Sequence, residues 1–206
     1  RLQGPNVMST LLSPHMLTQE GLQADAETWL ARLLVGAAAK TPIPVFIDGP
    51  TSSYAVSRDE FGEPAAFIVS LADQNFFPMI TVSRRSPPEF STYLRDQLAG
   101  HAHFLWNNDG DNPYTGILGL AQHIIVTADS VNMVGEACAT DAPVQVFELA
   151  GGNRKFRQFH GEMQAAGFTR IFRGDLTKRL SAPVNATPDI AAALRRALEA
   201  KRAASV

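Results

Sequence analysis

Short apolar runs alternate with stretches of helical period along most of this chain. The runs are three to five residues long and rich in Val, Ile and Phe, which is typical of buried strands. They predict strands at residues 44–47, 78–82, 103–106, 124–126, 144–147 and 170–172. The stretches around them repeat apolar residues every three or four positions and predict helices at 18–34, 58–74, 90–98, 117–120, 131–138, 153–166 and 187–198. The alternation predicts an α/β fold, a Rossmann-like parallel sheet with helices on both faces.

The segment 121–157 carries the clearest strand–helix–strand–helix pattern. Its first strand leads into a polar turn, where Asp129 or Ser130 can cap the next helix by accepting from its free N–H groups. Its second strand leads to Gly151 and Gly152, which open a helix rich in arginine and lysine. Polar residues therefore gather where strands lead into helices. In an open α/β sheet, ligands bind at that carboxyl edge.

Five polar clusters follow the predicted strands, and a parallel sheet would place all of them at one edge. Arginine offers fork-shaped donors suited to phosphate, and a Gly-Gly entry to a basic helix offers free N–H groups. Taken singly, each cluster is better explained as a turn, but the five together favour an anion site for the diphosphate of a nucleotide. The clusters are Gly49/Ser52/Ser53, Ser83/Arg84/Arg85, Trp106/Asn112/Tyr114, Thr127/Asp129/Ser130 and Gly151/Gly152/Asn153.

Glu136 lies within the predicted helix 131–138, six residues after Ser130. A carboxylate there can accept two hydrogen bonds from a ribose diol, as acidic residues do in other nucleotide-binding folds. A solvated surface position is the usual fate of a helical glutamate, and spacing alone favours that interpretation. Two neighbouring candidates are predicted to be packed instead of functional: Met133 in the same helix and His160 in the next.

Composition limits the classes to which the chain can belong. Its 206 residues can bury one substantial core, and 45% hydrophobic and 18% charged residues are ordinary values for a globular protein. A net charge of -2 gives no general attraction to nucleic acid. A single cysteine, no apolar run long enough for a membrane helix and no visible signal peptide lead us to expect a cytoplasmic protein. The loop-like start at Arg1 leads us to expect that an N-terminal portion is missing, disordered or removed.

Several catalytic and metal-binding patterns are missing from the sequence. The five histidines show no metal-ligand spacing with Cys138 or with each other, so no metal site is predicted. Asp109-Gly110-Asp111 lacks the downstream glutamate of a calcium loop. There is no nucleophile elbow, Walker loop or GxGxxG sequence. A sugar-nucleotide epimerase is excluded as well, because no tyrosine is followed four residues later by lysine.

Four segments resemble the ELM1 family. They are Ser83-Arg84-Arg85-Ser86-Pro87-Pro88, Asn112-Pro113-Tyr114, the run from Val126 to Ala137 and the run from Phe147 to Phe156. Gly4-Pro5-Asn6-Val7 and Ser13-Pro14-His15 also resemble the family pattern, so the resemblance covers nearly the whole chain. The family is named for a plant mitochondrial fission factor, is widespread in bacteria and is thought to be related to GT-B glycosyltransferases.

GT-B enzymes have two Rossmann-like domains, of which the C-terminal one mainly holds the nucleotide-sugar donor. By this resemblance, residues 41–206 are the donor-binding domain, and residues 1–40 are an interdomain crossing segment and helix left from an N-terminal domain. The nucleotide-sugar is a substrate, and no cofactor or metal is required, since arginine and helix N–H groups can stabilise the leaving diphosphate. The resemblance leaves the catalytic residues unidentified, and an added catalytic base is expected in the missing N-terminal half.

The resemblance also implies roles for residues at the sheet edge. Ser130 matches the turn that meets the diphosphate, and Glu136 matches the helical glutamate that binds ribose. Gly135 and Asp141-Ala142-Pro143 depart mildly from related motifs and leave that ribose role intact. The predicted diphosphate site comprises Gly49, Ser52, Arg84, Arg85, Thr127, Ser130, Gly151 and Gly152, with Trp106 or Tyr114 packing on base or sugar.

Two functions follow from this interpretation. The first is a nucleotide-sugar-dependent glycosyltransferase, or its donor-binding domain, acting on a membrane-associated acceptor. The alternative is a non-catalytic GT-B-derived adaptor that recruits a membrane-fission partner at the membrane periphery. Its contact would be the basic face of the last helix, formed by Arg195, Arg196, Lys201 and Arg202. The sequence leaves open whether the chain is an enzyme, which sugar it uses and its oligomeric state.

Overall fold

The computed structural model of this chain describes residues 4, 7–37, 39–51, 53–54, 61–178 and 181–203. Within these ranges, six strands form one sheet. They are β1 (Thr41–Ile47), β2 (Phe76–Val82), β3 (Phe104–Trp106), β4 (Ile124–Thr127), β5 (Val144–Phe147) and β6 (Thr169–Ile171). The sheet order is β3-β2-β1-β4-β5-β6, and every neighbouring pair is parallel. This is the order of a Rossmann-type sheet, in which the direction of winding reverses between β1 and β4.

Helices connect the strands, and three of the seven helices in the described ranges begin at a side-chain cap. They are α1 (Gln19–Leu33), α2 (Gly62–Asp73), α3 (Pro88–Gln97), α4 (Tyr114–Gly119), α5 (Val131–Cys138), α6 (Arg154–Ala165) and α7 (Thr187–Ala203). The Thr18, Ser130 and Asn153 side chains cap α1, α5 and α6 by accepting from backbone N–H groups in the first turn. Pro88 stands at the start of α3, where its missing N–H group costs nothing.

The sheet separates two hydrophobic clusters, one on each face. Side chains such as Phe46 and Val126 point to a cluster that includes residues of α1, α4, α5 and α6. Their strand neighbours Val45 and Ile125 point to a second cluster with α2 and α3. Successive residues of a strand face opposite sides, so a central strand buried on both faces must be apolar throughout. This explains why β1, β2 and β4 are almost entirely apolar.

Two glycines of α4 allow α1 to approach it closely. A Cβ atom built at Gly116 would lie 2.7 Å from Cδ1 of Trp29. One built at Gly119 would overlap the carbonyl oxygen of Leu22. Leu22 and Leu33 of α1 are buried in the first hydrophobic cluster, so α1 shares its core with the sheet. The predicted division of the chain at residue 40 stays a prediction.

The predicted fold class is confirmed: the sheet is parallel, Rossmann-like and covered on both faces. The element boundaries differ by a few residues. β1 and β2 begin at Thr41 and Phe76, earlier than the runs at 44–47 and 78–82, because prolines within both strands made their first residues look like loop. β6 ends at Ile171 instead of 172. The predicted helix at 58–74 is described from Gly62 onward, and its first residues lie outside the described ranges.

Candidate functional site

The first candidate site is the crevice where the winding of the sheet reverses. Loops after β1 and β4 diverge there, and open α/β sheets commonly bind ligands at such a point. Asp48 and Gly49 follow β1, while Thr127 ends β4 and Asp129 lies in the turn after it. We call these four residues the β1–β4 crevice. Three of them belong to the clusters predicted from sequence.

The polar groups of the β1–β4 crevice form hydrogen bonds with one another. The Thr127 hydroxyl accepts from the backbone N–H of Asp48 at 3.1 Å and donates to Oδ1 of Asp129 at 2.6 Å. Oδ2 of Asp129 accepts from the backbone N–H of Gly49 at 2.7 Å. Thr127 and Asp129 are only 1% and 2% exposed. These donors and acceptors therefore join the two loops and are already occupied by protein groups.

The crevice also carries negative charge. Burial raises the pKa of Asp129, although the hydrogen bonds from Thr127 and Gly49 oppose that shift. Asp48 is buried and forms an ion pair with Arg85, which comes from the loop after β2. The Ser86 hydroxyl donates to the Asp48 carbonyl at 3.1 Å and fixes the same loop. One predicted phosphate ligand, Arg85, is thus paired with a carboxylate of the protein.

Gly151 and Gly152 lie farther along the edge and contact the segment after β1. Both have left-handed backbones, with φ of 103° and 79°. The N–H of Gly152 donates to the carbonyl of Ser53 at 2.8 Å, and a Cβ atom built at Gly152 would lie 2.7 Å from the hydroxyl of Tyr54. The two glycines therefore permit close packing of this segment.

The second candidate site is a cleft of about 220 Å³ between the carboxyl ends of β2 and β3 and the first turns of α5. Arg84, Trp106 and Glu136 bring a cation, an indole ring and a carboxylate to its wall. We call it the α5 cleft. Arg84 is exposed and has no hydrogen-bond or ion-pair partner among the described residues. Thr81, Ser83, Asn108, Asn112, Tyr114 and Met133 also line the cleft.

Tyr114 and Glu136 are in direct contact in the α5 cleft. The Tyr114 hydroxyl donates to Oε2 of Glu136 at 2.7 Å. Burial, followed by the charge of Glu136 and this hydrogen bond, raises the pKa of Tyr114 well above its usual 10.0. The phenol is therefore a permanent donor at neutral pH. Within the described residues, no hydrogen bond is formed by Oε1 of Glu136, and this oxygen remains available as an acceptor.

The N-terminus of α5 lies beside the same cleft, because Met133 and Glu136 on its first two turns line the cavity wall. The Ser130 side chain caps the helix by accepting from the N–H of Met133 at 3.3 Å. Among the described residues, the N–H groups of Val131 and Asn132 have no acceptor. Such free N–H groups and the positive end of the helix dipole favour a nearby anion.

The structure divides the predicted site residues into two groups. It brings Arg84, Trp106, Tyr114 and Glu136 together in the α5 cleft. It uses Gly49, Arg85, Thr127, Gly151 and Gly152 in contacts between loops. Ser130 caps α5, and Ser52 lies outside the described residues. The ligand-binding roles of all these residues stay predictions.

Sequence reasoning missed two features of the edge. Thr81, a single polar residue in the apolar β2, lines the α5 cleft, and its buried hydroxyl has no partner in the described part of the chain. Its polarity within an apolar run was the available signal. The second feature is Asp48, since a carboxylate directly after a buried strand is expensive to bury and needs a partner. Met133, predicted to be core, borders both the hydrophobic cluster and the cleft.

His160 supports the crevice from α6. It is buried, and its Nε2 lies 2.7 Å from the carbonyl of Ala128, to which it donates. Burial lowers the pKa of His160, so the ring is held neutral. The predicted packed role of this histidine agrees with its burial.

A larger cleft of about 520 Å³ lies between α1 and the end of α4, away from the carboxyl edge.

In the part of the chain that the structure describes, no helix is both long and apolar enough to cross a membrane. No group of three or more His, Cys, Asp or Glu side chains is arranged there to hold a metal ion.

Relatives of the chain were found at the level of sequence and of structure. The Mitochondrial fission protein ELM1 of Arabidopsis thaliana is 28% identical over 200 residues, which is 95% of this chain and 46% of that protein. An uncharacterized protein of Rickettsia prowazekii is 30% identical over 104 residues, 48% of this chain and 29% of the relative. The chain therefore spans less than half the length of either. Among solved structures, the E. coli heptosyltransferase WaaC with ADP is similar. The match covers 84% of this chain and 48% of the heptosyltransferase chain, with 14% identity and a TM-score of 0.40.

The family model described as Mitochondrial fission ELM1 matches residues 1–198. That range includes all six strands, both candidate sites and most of α7. The resemblance identified from the sequence motifs is thus confirmed: the chain belongs to the mitochondrial fission ELM1 family.

Proposed function

We propose that this chain is the nucleotide-sugar-binding part of a GT-B-like glycosyltransferase, and that the α5 cleft holds the nucleoside of the donor. The observation that carries the proposal is the convergence of Arg84, Trp106 and Glu136 on one cleft at the carboxyl edge of a Rossmann-like sheet. A cation, an aromatic face and a carboxylate acceptor are the three groups that a nucleotide requires for its phosphate, base and ribose.

Glu136 would bind the ribose. Its Oε1 can accept from a ribose hydroxyl, while Oε2 is held by Tyr114. Trp106 offers an indole ring for the base, and its Nε1 donates to the Asp109 carbonyl at 2.8 Å, which fixes the ring. An aromatic ring that is already fixed loses little side-chain entropy when a ligand packs on it.

Arg84 and the N-terminus of α5 would bind the diphosphate. Arg84 is exposed at the cleft wall and has no competing carboxylate among the described residues. The β1–β4 crevice is less suited to an anion, because Asp48 and Asp129 lie within it and Arg85 is paired with Asp48. Electrostatics therefore favour a diphosphate on the α5 side of the edge.

The size of the α5 cleft is consistent with one part of a donor. Pockets for whole ligands of drug size occupy roughly 300–1,000 Å³. A cleft of about 220 Å³ matches a nucleoside, with the diphosphate and sugar extending beyond it.

The curated relatives are more than twice as long as the matched region, so acceptor-binding groups and any catalytic base would come from parts of the protein outside this chain.

Calorimetric titration with UDP, GDP, ADP and CMP tests this proposal. We expect one nucleotide to bind the wild-type chain, and Glu136→Ala to weaken that binding by about 10-fold, as the loss of a charged hydrogen bond would. Arg84→Ala should weaken binding of the diphosphate form more than binding of the nucleoside. Glu199→Ala, on the exposed face of α7, is the matched control and should bind as wild type does. Unchanged affinity in Glu136→Ala would refute the site.

An adaptor function is the second candidate, and α7 is the feature that favours it. Leu194 and Leu198 on this helix are 60% and 51% exposed, next to the exposed Arg195 and Arg196. A helix that exposes apolar and basic residues together fits an acidic protein surface. The Arabidopsis relative is a mitochondrial fission protein, which agrees with recruitment of a partner. Absence of any nucleotide response in the titration would favour this function over the first.

A further inference from the structure

We propose that Tyr114 is a positioning residue that makes the α5 cleft selective for ribose over deoxyribose. It does so by fixing one carboxylate oxygen of Glu136 and leaving the other for a sugar hydroxyl. The inference rests on the proposed nucleotide site. It replaces the role expected from sequence, in which Tyr114 packs on base or sugar.

Three contacts fix the position of Tyr114. Its ring lies 4.8 Å from the ring of Phe46, centroid to centroid, at an angle of 57°. Its backbone N–H donates to Oδ1 of Asn112 at 3.0 Å. Its hydroxyl donates to Oε2 of Glu136 at 2.7 Å. Since Phe46 is fully buried in the central strand β1, the phenol is anchored to the rigid centre of the molecule.

The Tyr114 hydroxyl has a single proton, and the geometry directs this proton to Oε2 of Glu136. The other oxygen, Oε1, has no donor among the described residues. An ionised carboxylate only accepts hydrogen bonds, so Oε1 requires a ligand group that donates. A ribose hydroxyl donates, whereas the carbon-bound hydrogen that replaces it in a deoxyribose does not.

The hydrogen bond also limits the motion of Glu136. A glutamate has three side-chain torsions, and ordering them on ligand binding costs free energy. Tyr114 restricts these torsions before the ligand arrives, which reduces that cost. Without the phenol donor, the carboxylate can turn towards solvent, and a ribose hydroxyl gains less from meeting it. The ribonucleotide therefore loses affinity, while a deoxynucleotide that never used Oε1 does not.

Tyr114→Phe is the test, because it removes the hydroxyl and keeps the ring on Phe46. The probe is whichever of UDP, GDP, ADP and CMP binds the wild-type chain, together with its 2′-deoxy and 3′-deoxy forms. We expect Tyr114→Phe to weaken binding of the ribonucleotide by about 3- to 10-fold and to leave the affinity for one deoxy form unchanged. The preference for ribose over deoxyribose then becomes smaller. Tyr93→Phe, on the opposite face of the sheet, is the matched control and should keep the wild-type preference.

The outcomes separate this inference from the function on which it rests. Binding to wild type that is lost in Glu136→Ala, with an unchanged ribose preference in Tyr114→Phe, would refute the positioning role alone. Equal weakening of ribo and deoxy forms would also refute it, since that result indicates a structural role. No binding of any nucleotide to the wild-type chain would overturn both the site and the inference.

Discussion

The β1–β4 crevice and the α5 cleft lie on the same edge of the sheet. They differ in whether their polar groups already form hydrogen bonds or ion pairs with other protein groups. In the crevice, Thr127, Asp129 and the N–H of Gly49 form a closed set of hydrogen bonds. In the cleft, Arg84 and Oε1 of Glu136 have no partner within the described residues. Topology brings both sets to the edge, but only unused groups can contribute binding energy to a ligand.

Burial explains the difference. Thr127 and Asp129 are almost completely buried, and a buried donor or acceptor without a partner costs about 1–3 kcal/mol. The crevice residues therefore satisfy one another as the chain folds. Arg84 is exposed and Glu136 is partly exposed at the cleft wall, so these two side chains can lack a protein partner without that cost. A polar cluster after a strand thus has two possible uses, and its burial distinguishes them.

Removing Asp129 should produce the largest effect on the comparison. Asp129→Ala leaves the buried N–H of Gly49 without its acceptor and leaves the Thr127 hydroxyl only a long contact of 3.4 Å to the Phe46 carbonyl. We expect a loss of about 2–3 kcal/mol in the free energy of unfolding, measured by urea denaturation. Asp96→Ala, at an exposed position of α3, should change it by less than about 0.5 kcal/mol. A similar small change in Asp129→Ala would mean that the crevice is not a structural network.

The neighbours Arg84 and Arg85 allow a sharper test. Arg85→Ala leaves the buried Asp48 carboxylate unpaired and should lower the free energy of unfolding by about 1–2 kcal/mol, less than for a fully buried pair because Arg85 is half exposed. Arg84→Ala should leave stability within about 0.5 kcal/mol of wild type and weaken nucleotide binding. Urea denaturation and calorimetry of both variants check this. Equal effects of the two on stability would remove the distinction between crevice and cleft.

The smallest effect concerns pH and His160. Burial lowers the pKa of His160 below 6.5, so the unfolded chain takes up a proton more readily than the folded one. The stability that the neutral ring contributes is complete above pH 6.5 and is lost as pH falls below it. His160→Gln keeps a donor for the Ala128 carbonyl but does not titrate. We expect wild type to lose more stability than this variant between about pH 7 and pH 5 in urea denaturation; parallel losses would contradict the assignment.

Much of the fold could be predicted from the sequence because its signals are local. The runs at β1 and β4 are apolar on both faces, as central parallel strands must be, and Thr18, Ser130 and Asn153 mark helix starts by their capping chemistry. These patterns depend on neighbours in sequence. They identified the sheet, its covered faces and the edge at which the polar clusters gather.

The use of each polar residue could not be predicted in the same way, because it depends on partners far along the chain. Arg84 and Arg85 are adjacent, yet only Arg85 reaches Asp48, which lies 37 residues earlier in the chain. Tyr114 and Glu136 are 22 residues apart and meet only after α4 and α5 pack on the sheet. Spacing within one element carries no information about such pairs.

The close approach of α1 to α4 has a consequence for how the molecule opens. Gly116 and Gly119 leave no room between the two helices for even a methyl group, so neither can separate without exposing the apolar face of the other. Local unfolding proceeds in cooperative units, and we expect this pair to form one. Amide protons of Leu22 and Ile117 should therefore exchange with solvent at similar rates, and that unit includes the start of α4, where Tyr114 lies.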